Sequence, residues 1–240
     1  MYNGKMKLLS VLLILFLSGG IIWAQEKRFA AIPSDNVIRT YLTDVDAYAT
    51  LYSGKTETPY DKRYENHPYF ETFTYQAGTL GYNHVVYTDI LMRFDLYRNE
   101  LTVVAPGRPV PVILNNDKFD YAILNGSTII QAGNENNAKG KFLVLLRNGT
   151  YPVARQYNIR TEEETSNLTI IHSFRIQVKY LIYKNGVPYT VKNKNSVLKL
   201  FPDKRKELNM FAKQHRLNFN SQIEQCIIAL VDQYEAMIND

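Results

Sequence analysis

The chain has almost no cysteine: Cys226 is the only one in 240 residues. A single thiol excludes an internal disulfide, so the fold must be stabilised by the packing of its core rather than by cross-links. Cys226 lies in a stretch with apolar residues at helical spacing, and we interpret it as a small buried side chain rather than a reactive one.

Motifs that identify catalysis or metal binding are also lacking. The four histidines, at positions 67, 84, 172 and 215, do not have the spacing that metal ligands require. A stretch at 49–56 resembles a phosphate-binding loop, but no buried strand precedes it and a proline soon follows it. An S-x-x-K at 196–199 has no K-T-G partner. We therefore predict no cofactor and no metal, and we favour a protein that is not an enzyme while leaving that question open.

The only long apolar run is at the N-terminus, at 8–17. Lys5 and Lys7 precede it, and small residues follow it up to Ala24. This order is typical of a secretory signal peptide, which we assign to 1–24. No later segment is apolar enough to span a membrane as a helix. We expect an exported protein, periplasmic or associated with the outer membrane, with no transmembrane segment after signal removal.

Tyrosine is abundant, with 18 residues, and it occurs in stretches that alternate between apolar and polar side chains. The clearest alternation is at 78–104, which predicts a three-strand antiparallel meander with one face towards a core and one polar face. Asn-Gly pairs at 148–149 and 185–186 predict two further hairpins. The acidic segment 161–167 between them is expected to be a loop.

The pattern becomes helical near the C-terminus. One helix is expected from Pro202 to about His215, and Ser221 with Glu224 predicts the cap of a second. Ser196 is interpreted as a helix cap. The predicted fold class is α+β, in which an antiparallel β-rich body, curved or a partly closed barrel, occupies 25–195. The two C-terminal helices, at 196–240, are expected to pack on this body.

Positive charge is concentrated in 175–216, where eleven basic residues face two acidic ones, in a chain of net charge +5. A solvated face that offsets the acidic segment is the simpler interpretation. The functional one is a surface for an anionic lipid, an anionic glycan or an acidic protein; nucleic acid is excluded by the expected compartment. The candidate binding residues are Arg175, Lys179, Lys192, Lys194, Lys204 and Arg205.

The polar face of the meander is the second candidate site, formed by Tyr87, Asp89, Arg93 and Asp95. If Asp89 and Asp95 shared a cleft, the chain could be a hydrolase acting on a glycan or a lipid. A third alternative is a structural subunit of an envelope assembly, paired through strand edges or its last helix.

Several spread motifs occur together in this chain. They are Leu51-Tyr52-Ser53-Gly54, His67-Pro68-Tyr69-Phe70, Arg93-Phe94-Asp95, and the segment 198–208 followed by Asn218-Phe219. As a set they resemble an uncharacterised family of exported proteins of Gram-negative bacteria, over most of the chain after residue 24. His84 stands where that family's pattern would have a glycine. The resemblance implies secretion and an envelope location, and it assigns no catalytic residue. The combined prediction is a non-enzymatic envelope protein that binds an anionic component or a protein partner.

Overall fold

The predicted meander lies within one large antiparallel sheet. The computed structural model describes residues 51–133, 140–166 and 169–239, so the predicted signal peptide lies outside the described residues. Within these ranges eleven strands form a sheet that does not close, and helices follow it at the C-terminal end. The α+β prediction with two C-terminal helices is confirmed, and the open sheet excludes a closed barrel.

The strand order in the sheet is β1-β5-β4-β3-β2-β6-β7-β8-β9-β10-β11. The strands are β1 (Lys55–Thr56), β2 (Gln76–Tyr82), β3 (Val85–Asp95), β4 (Glu100–Ala105), β5 (Arg108–Ile113), β6 (Phe119–Leu124), β7 (Ser127–Gln131), β8 (Phe142–Arg147), β9 (Val153–Ser166), β10 (Thr169–Lys184) and β11 (Val187–Val191). Because most neighbours in the sheet are also neighbours in sequence, short turns determine most of the topology.

Asparagine begins most of the tight turns. The two-residue turn between β10 and β11 has Asn185 at φ 53° and Gly186 at φ 78°, which is the left-handed pair that the Asn-Gly motif predicts. The turn between β2 and β3 has the same geometry without a glycine, with Asn83 at φ 52° and His84 at φ 64°. Both predicted Asn-Gly hairpins are confirmed, although the chain between β8 and β9 takes five residues rather than two.

A β-bulge interrupts the alternation of β3. Asp89 has a φ of 56°, and the pairing register with β2 shifts between Gly78 and Leu80. The extra residue reverses which side chains face the core on either side of it. After the bulge Ile90 is buried, as predicted, but before it Tyr87 is also buried, at 3% exposure. The prediction that Tyr87 belongs to the polar face is therefore wrong.

The first core fills the concave side of the strongly bent sheet. The ring centroids of Phe94 on β3 and Phe142 on β8 are 4.8 Å apart. These strands are four positions apart in the sheet, which would separate them by about 19 Å if the sheet were flat. The same core includes Leu51, Phe70 and Met92, so burial of aromatic and aliphatic side chains holds the sheet in its bent form.

The second core lies between the end of the sheet and three helices: α1 (Lys194–Leu200), α2 (Arg205–Gln214) and α3 (Ile223–Asn239). Cys226, on α3, is buried, as predicted. The short helix α1 was not predicted as a helix. Its N-cap is Asn193, whose side chain accepts from the Ser196 amide, while the Ser196 hydroxyl bonds back to the cap. Ser196 is thus at the N3 position of the capping box and is not the N-cap.

Two arginines hold α3 against the sheet. On β8, Arg147 donates to Asp232 at 2.5 Å and to Glu235 at 2.6 Å. On β9, Arg155 donates to Glu224 at 2.8 Å. The hydrogen bond from Arg147 lowers the pKa of the Glu235 carboxyl below its usual range. These pairs fix the position of the last helix on the strands.

The acidic segment is strand rather than loop, so that prediction is wrong. Residues 161–166 belong to β9, which pairs with β10 up to Ser166 and Thr169. Glu162 accepts hydrogen bonds from Arg160 and Arg175, and Glu163 pairs with Lys62. Partner cations on neighbouring positions and elements offset the repulsion that would otherwise favour a solvated loop.

Candidate anion-binding site

The six basic residues predicted as a binding surface are spread from β10 to the start of α2. Arg175 and Lys179 are on β10, Lys192 lies between β11 and α1, and Lys194 begins α1. Lys204 directly precedes α2, and Arg205 begins it. The Arg175 side chain pairs with Glu162 at 3.1 Å. Part of the predicted surface therefore stabilises the pairing of β9 with β10, the two-stranded β9–β10 ribbon.

Of these six residues, only Lys194 lines the pocket that lies among the three helices, a region called the helical end below. This open pocket, of about 430 Å³, lies between the start of α1, the end of α2 and the connection to α3. Its lining residues are Lys194, Ala212, Lys213, Arg216, Leu217, Asn218, Phe219 and Asn220. Three of these carry a positive charge and none carries a negative one, so the pocket attracts an anion.

The cations of this pocket are not neutralised by the described part of the chain. Lys194 donates through Nζ to the side-chain oxygen of Asn209 at 3.0 Å, and this partner is uncharged. Lys213 and Arg216 are exposed, and no carboxylate among the described residues forms an ion pair with either. The positive charge of the pocket is therefore available to a partner from outside.

Arg216 has a backbone conformation that usually requires glycine. At the end of α2, the Leu217 amide donates to the Ala212 carbonyl and the Arg216 amide to the Lys213 carbonyl. This pair of bonds is the Schellman termination, whose left-handed residue is most often glycine. Arg216 takes that position at φ 50°, at a cost of about 1 kcal/mol for a residue with a Cβ. An arginine side chain is thus present at this pocket despite the local strain.

The second candidate site is divided by the β3 bulge. Tyr87 is in the first core, Asp89 is exposed at the bulge, and only Arg93 and Asp95 share the outer face. Asp89 and Asp95 therefore differ in both environment and strand geometry, and the structure does not present them as a matched pair of acids.

The Arg93 side chain is bound by other residues of the fold. Its guanidinium donates to Glu57 at 2.8 Å and lies over the rings of Tyr69 and Tyr75, 3.8 Å and 4.4 Å from their centroids. The pair is buried, since the two side chains are 11% and 6% exposed. Tyr75 also donates to Glu57, and burial together with this bond raises the pKa of Tyr75 to about 12.

The Asp95 carboxylate is also hydrogen-bonded within the fold, and the residue is only 1% exposed. Its carboxylate accepts from the Tyr60 hydroxyl and from the backbone amides of Tyr97 and Arg98. Burial, and then the bond to Asp95, raises the pKa of the Tyr60 hydroxyl well above its ordinary value. Asp95 thus caps the turn that follows β3 and anchors the segment that carries Tyr60.

Lys213 and Arg216 belong to the basic stretch 175–216 but are not among the six candidate residues. Their signal in the sequence is that Arg216, two residues after the last residue of α2, occupies the position where a helix-ending glycine is expected. Glu57 and Tyr60 were also missed, because their partners are 36 and 35 residues away in the chain and no periodicity connects them.

Comparisons with protein-family models, with curated proteins and with solved structures found no match. In the described ranges, no three side chains of the histidine, cysteine or carboxylate type come together as a metal site. None of the three helices combines the length and the apolar character that crossing a membrane requires.

Proposed function

We propose that this protein is a non-enzymatic exported protein of the cell envelope, which binds an anionic envelope component or an acidic protein partner through its helical end. The observation that carries the proposal is the pocket with three cations and no carboxylate in its wall. The predicted signal peptide and the resemblance to exported proteins of Gram-negative bacteria support the compartment.

The contacts of the acidic residues favour binding over hydrolysis. A glycoside hydrolase of the usual kind needs two carboxyl groups that face one substrate in a concave site. The pocket has no carboxyl group in its wall, and the buried Asp95 is held by Tyr60 and two backbone amides. Glu57 is likewise held by Arg93 and Tyr75. These acids stabilise the fold and are not free to act on a substrate.

One observation favours a structural subunit as the second candidate function. Ile176 and Val178 lie at alternate positions on one face of β10 and are 43% and 39% exposed. Ile170, nearer the start of that face, is 58% exposed, and Phe174 between Ile170 and Ile176 is buried. Exposed aliphatic side chains on one face of a ribbon are typical of a contact surface. Light scattering coupled to size-exclusion chromatography tests this candidate, because a monomer at all concentrations would exclude self-assembly.

The direct test of binding is crosslinking in intact cells followed by purification of the protein under denaturing conditions. Recovery of a specific lipid, glycan or acidic protein is expected, and it should fall when Lys204 and Arg205 are both changed to glutamine or when the pocket cations are neutralised. Lys118→Gln, an exposed charge outside the basic stretch, is the matched control. No envelope component above background would contradict the proposal.

A further inference from the structure

We infer that the pocket at the end of α2 binds the phosphomonoester group of a phosphorylated sugar. This inference rests on the proposed function and specifies its ligand. It depends on the three cations, on the apolar and amide groups beside them, and on the conformation of Arg216.

The cations match a phosphomonoester better than a carboxylate. Lys194, Lys213 and Arg216 line the same pocket, and their side chains carry three positive charges and several N–H donors. A phosphomonoester carries close to two negative charges at neutral pH and three strong acceptor oxygens, whereas a carboxylate has one charge on two oxygens. The arginine supplies a planar pair of donors that fits two phosphate oxygens, and the lysines act as point charges beside it.

The remaining lining residues suit the organic part of the ligand. Leu217 and Phe219 provide apolar surface, and Asn218 and Asn220 provide amide groups, although the Asn218 oxygen also accepts from the Asn220 backbone amide at 3.0 Å. A sugar ring has one apolar face and hydroxyl groups around its rim, so it can use both kinds of surface. The volume of about 430 Å³ falls within the range of small-molecule sites and exceeds what a phosphate alone would fill.

Arg216 provides an independent observation. Its left-handed backbone at φ 50° is one that glycine would adopt without strain. A strained residue that lines a charged pocket is a stronger indication of function than a charge on an unstrained helix surface. If the side chain served only the fold, glycine would satisfy the same two backbone hydrogen bonds.

Calorimetric titration of the purified protein with glucose 6-phosphate, inorganic phosphate and glucose tests the inference. Glucose 6-phosphate is expected to bind at least about tenfold more tightly than inorganic phosphate, and glucose should give no signal. Binding should weaken as sodium chloride rises, because the contacts are charged and exposed. Arg216→Gly should weaken binding of glucose 6-phosphate by about tenfold or more, the usual effect of losing a hydrogen bond to a charged group.

Two controls separate the pocket from the general charge of the protein. Lys118→Gln removes one exposed charge elsewhere and should leave the affinity unchanged. The urea midpoint of Arg216→Gly should equal or exceed that of the parent protein, which shows that lost binding is not lost folding.

Several outcomes would overturn the inference. They are no binding of glucose 6-phosphate, equal binding of inorganic phosphate, an unchanged affinity in Arg216→Gly, or an equal loss in Lys118→Gln. If the pocket fails while crosslinking still recovers an anionic component that depends on Lys204 and Arg205, the proposed function stands without this ligand. If the pocket binds glucose 6-phosphate but crosslinking recovers nothing, the site stands and the envelope function fails.

Discussion

Arg93 and Arg216 show two opposite uses of the same side chain. Arg93 is 11% exposed, donates to the Glu57 carboxylate and lies between two tyrosine rings. Arg216 is exposed, has no carboxylate partner among the described residues, and sits on a strained backbone. The fold pairs the charge of Arg93 with Glu57 inside the molecule, whereas it presents Arg216 to solvent. Functional cations are therefore expected at the helical end and not on the outer face of β3.

The largest loss of stability is expected from replacing Arg93, whose charge is paired with Glu57. Arg93→Met leaves Glu57 buried with a charge that no cation compensates, so the free energy of unfolding should fall by about 3–5 kcal/mol. Urea denaturation at neutral pH measures the loss. The double variant Glu57→Gln/Arg93→Met removes both charges and should lose less than the single variant. A loss below about 1 kcal/mol for Arg93→Met would show that the outer cluster is not what holds 57–75 on the sheet.

The next largest loss of stability is expected from breaking the ion pair between Arg147 and Glu235, which holds α3 on the sheet. Glu235→Gln removes the charge that accepts from Arg147 at 2.6 Å and from the Tyr151 amide at 2.9 Å, and should cost about 2 kcal/mol at neutral pH. Because the folded-state pKa of Glu235 is lowered from 4.5, its contribution is present above that pH and is lost as the pH falls through the depressed value. The difference between parent and variant should thus shrink in acid. A difference that does not shrink as the pH is lowered below 4.5 would exclude the carboxylate as its source.

A smaller effect is expected where a tyrosine caps a carboxylate. Tyr60→Phe removes only the hydroxyl that donates to Asp95, while the two backbone amides remain. The loss should be about 1.5 kcal/mol, the value for one hydrogen bond to a charged group. Tyr189→Phe, on an exposed ring of β11, is the matched control and should change the urea midpoint little. Equal losses in both variants would mean that Asp95 does not depend on Tyr60.

The smallest effect has the opposite sign. Arg216→Gly should raise the free energy of unfolding by about 0.5–1 kcal/mol, because glycine takes the left-handed conformation without strain. Arg216→Ala removes the same charge but keeps a Cβ, so it should not gain this stability. A fall in stability for Arg216→Gly would show that the side chain supports the fold, which would remove the contrast with Arg93.

The sequence was informative where local chemistry decides the structure. The turn at Asn185 and Gly186 and the apolar spacing of α3 each determine an element within a few residues. It was misleading at Asp89, because a single residue with positive φ reverses the alternation and places Tyr87 in the core. Period counting assumes an uninterrupted strand, and 85–95 contains no glycine that would mark the bulge.

The candidate site was only partly visible for a related reason. Charge density located the basic stretch, but it could not distinguish Arg175, which pairs with Glu162, from Arg216, which has no such partner among the described residues. That distinction depends on tertiary contacts between β9 and β10. The acids that neutralise a cation are identified only when the strands are paired.

Asn66 affects how the edge of β10 could contact another molecule. Strand β11 pairs only with 180–184 of β10, so the backbone of β10 nearer its start could template a strand from another molecule. Asn66 occupies this edge: its side chain donates to the Phe174 carbonyl at 2.8 Å and accepts from the Phe174 amide at 2.7 Å. The neighbouring Glu65 amide donates to the His172 carbonyl at 3.0 Å. These bonds occupy backbone groups of His172 and Phe174 that would otherwise be open, at a bare strand edge, to pairing with another chain.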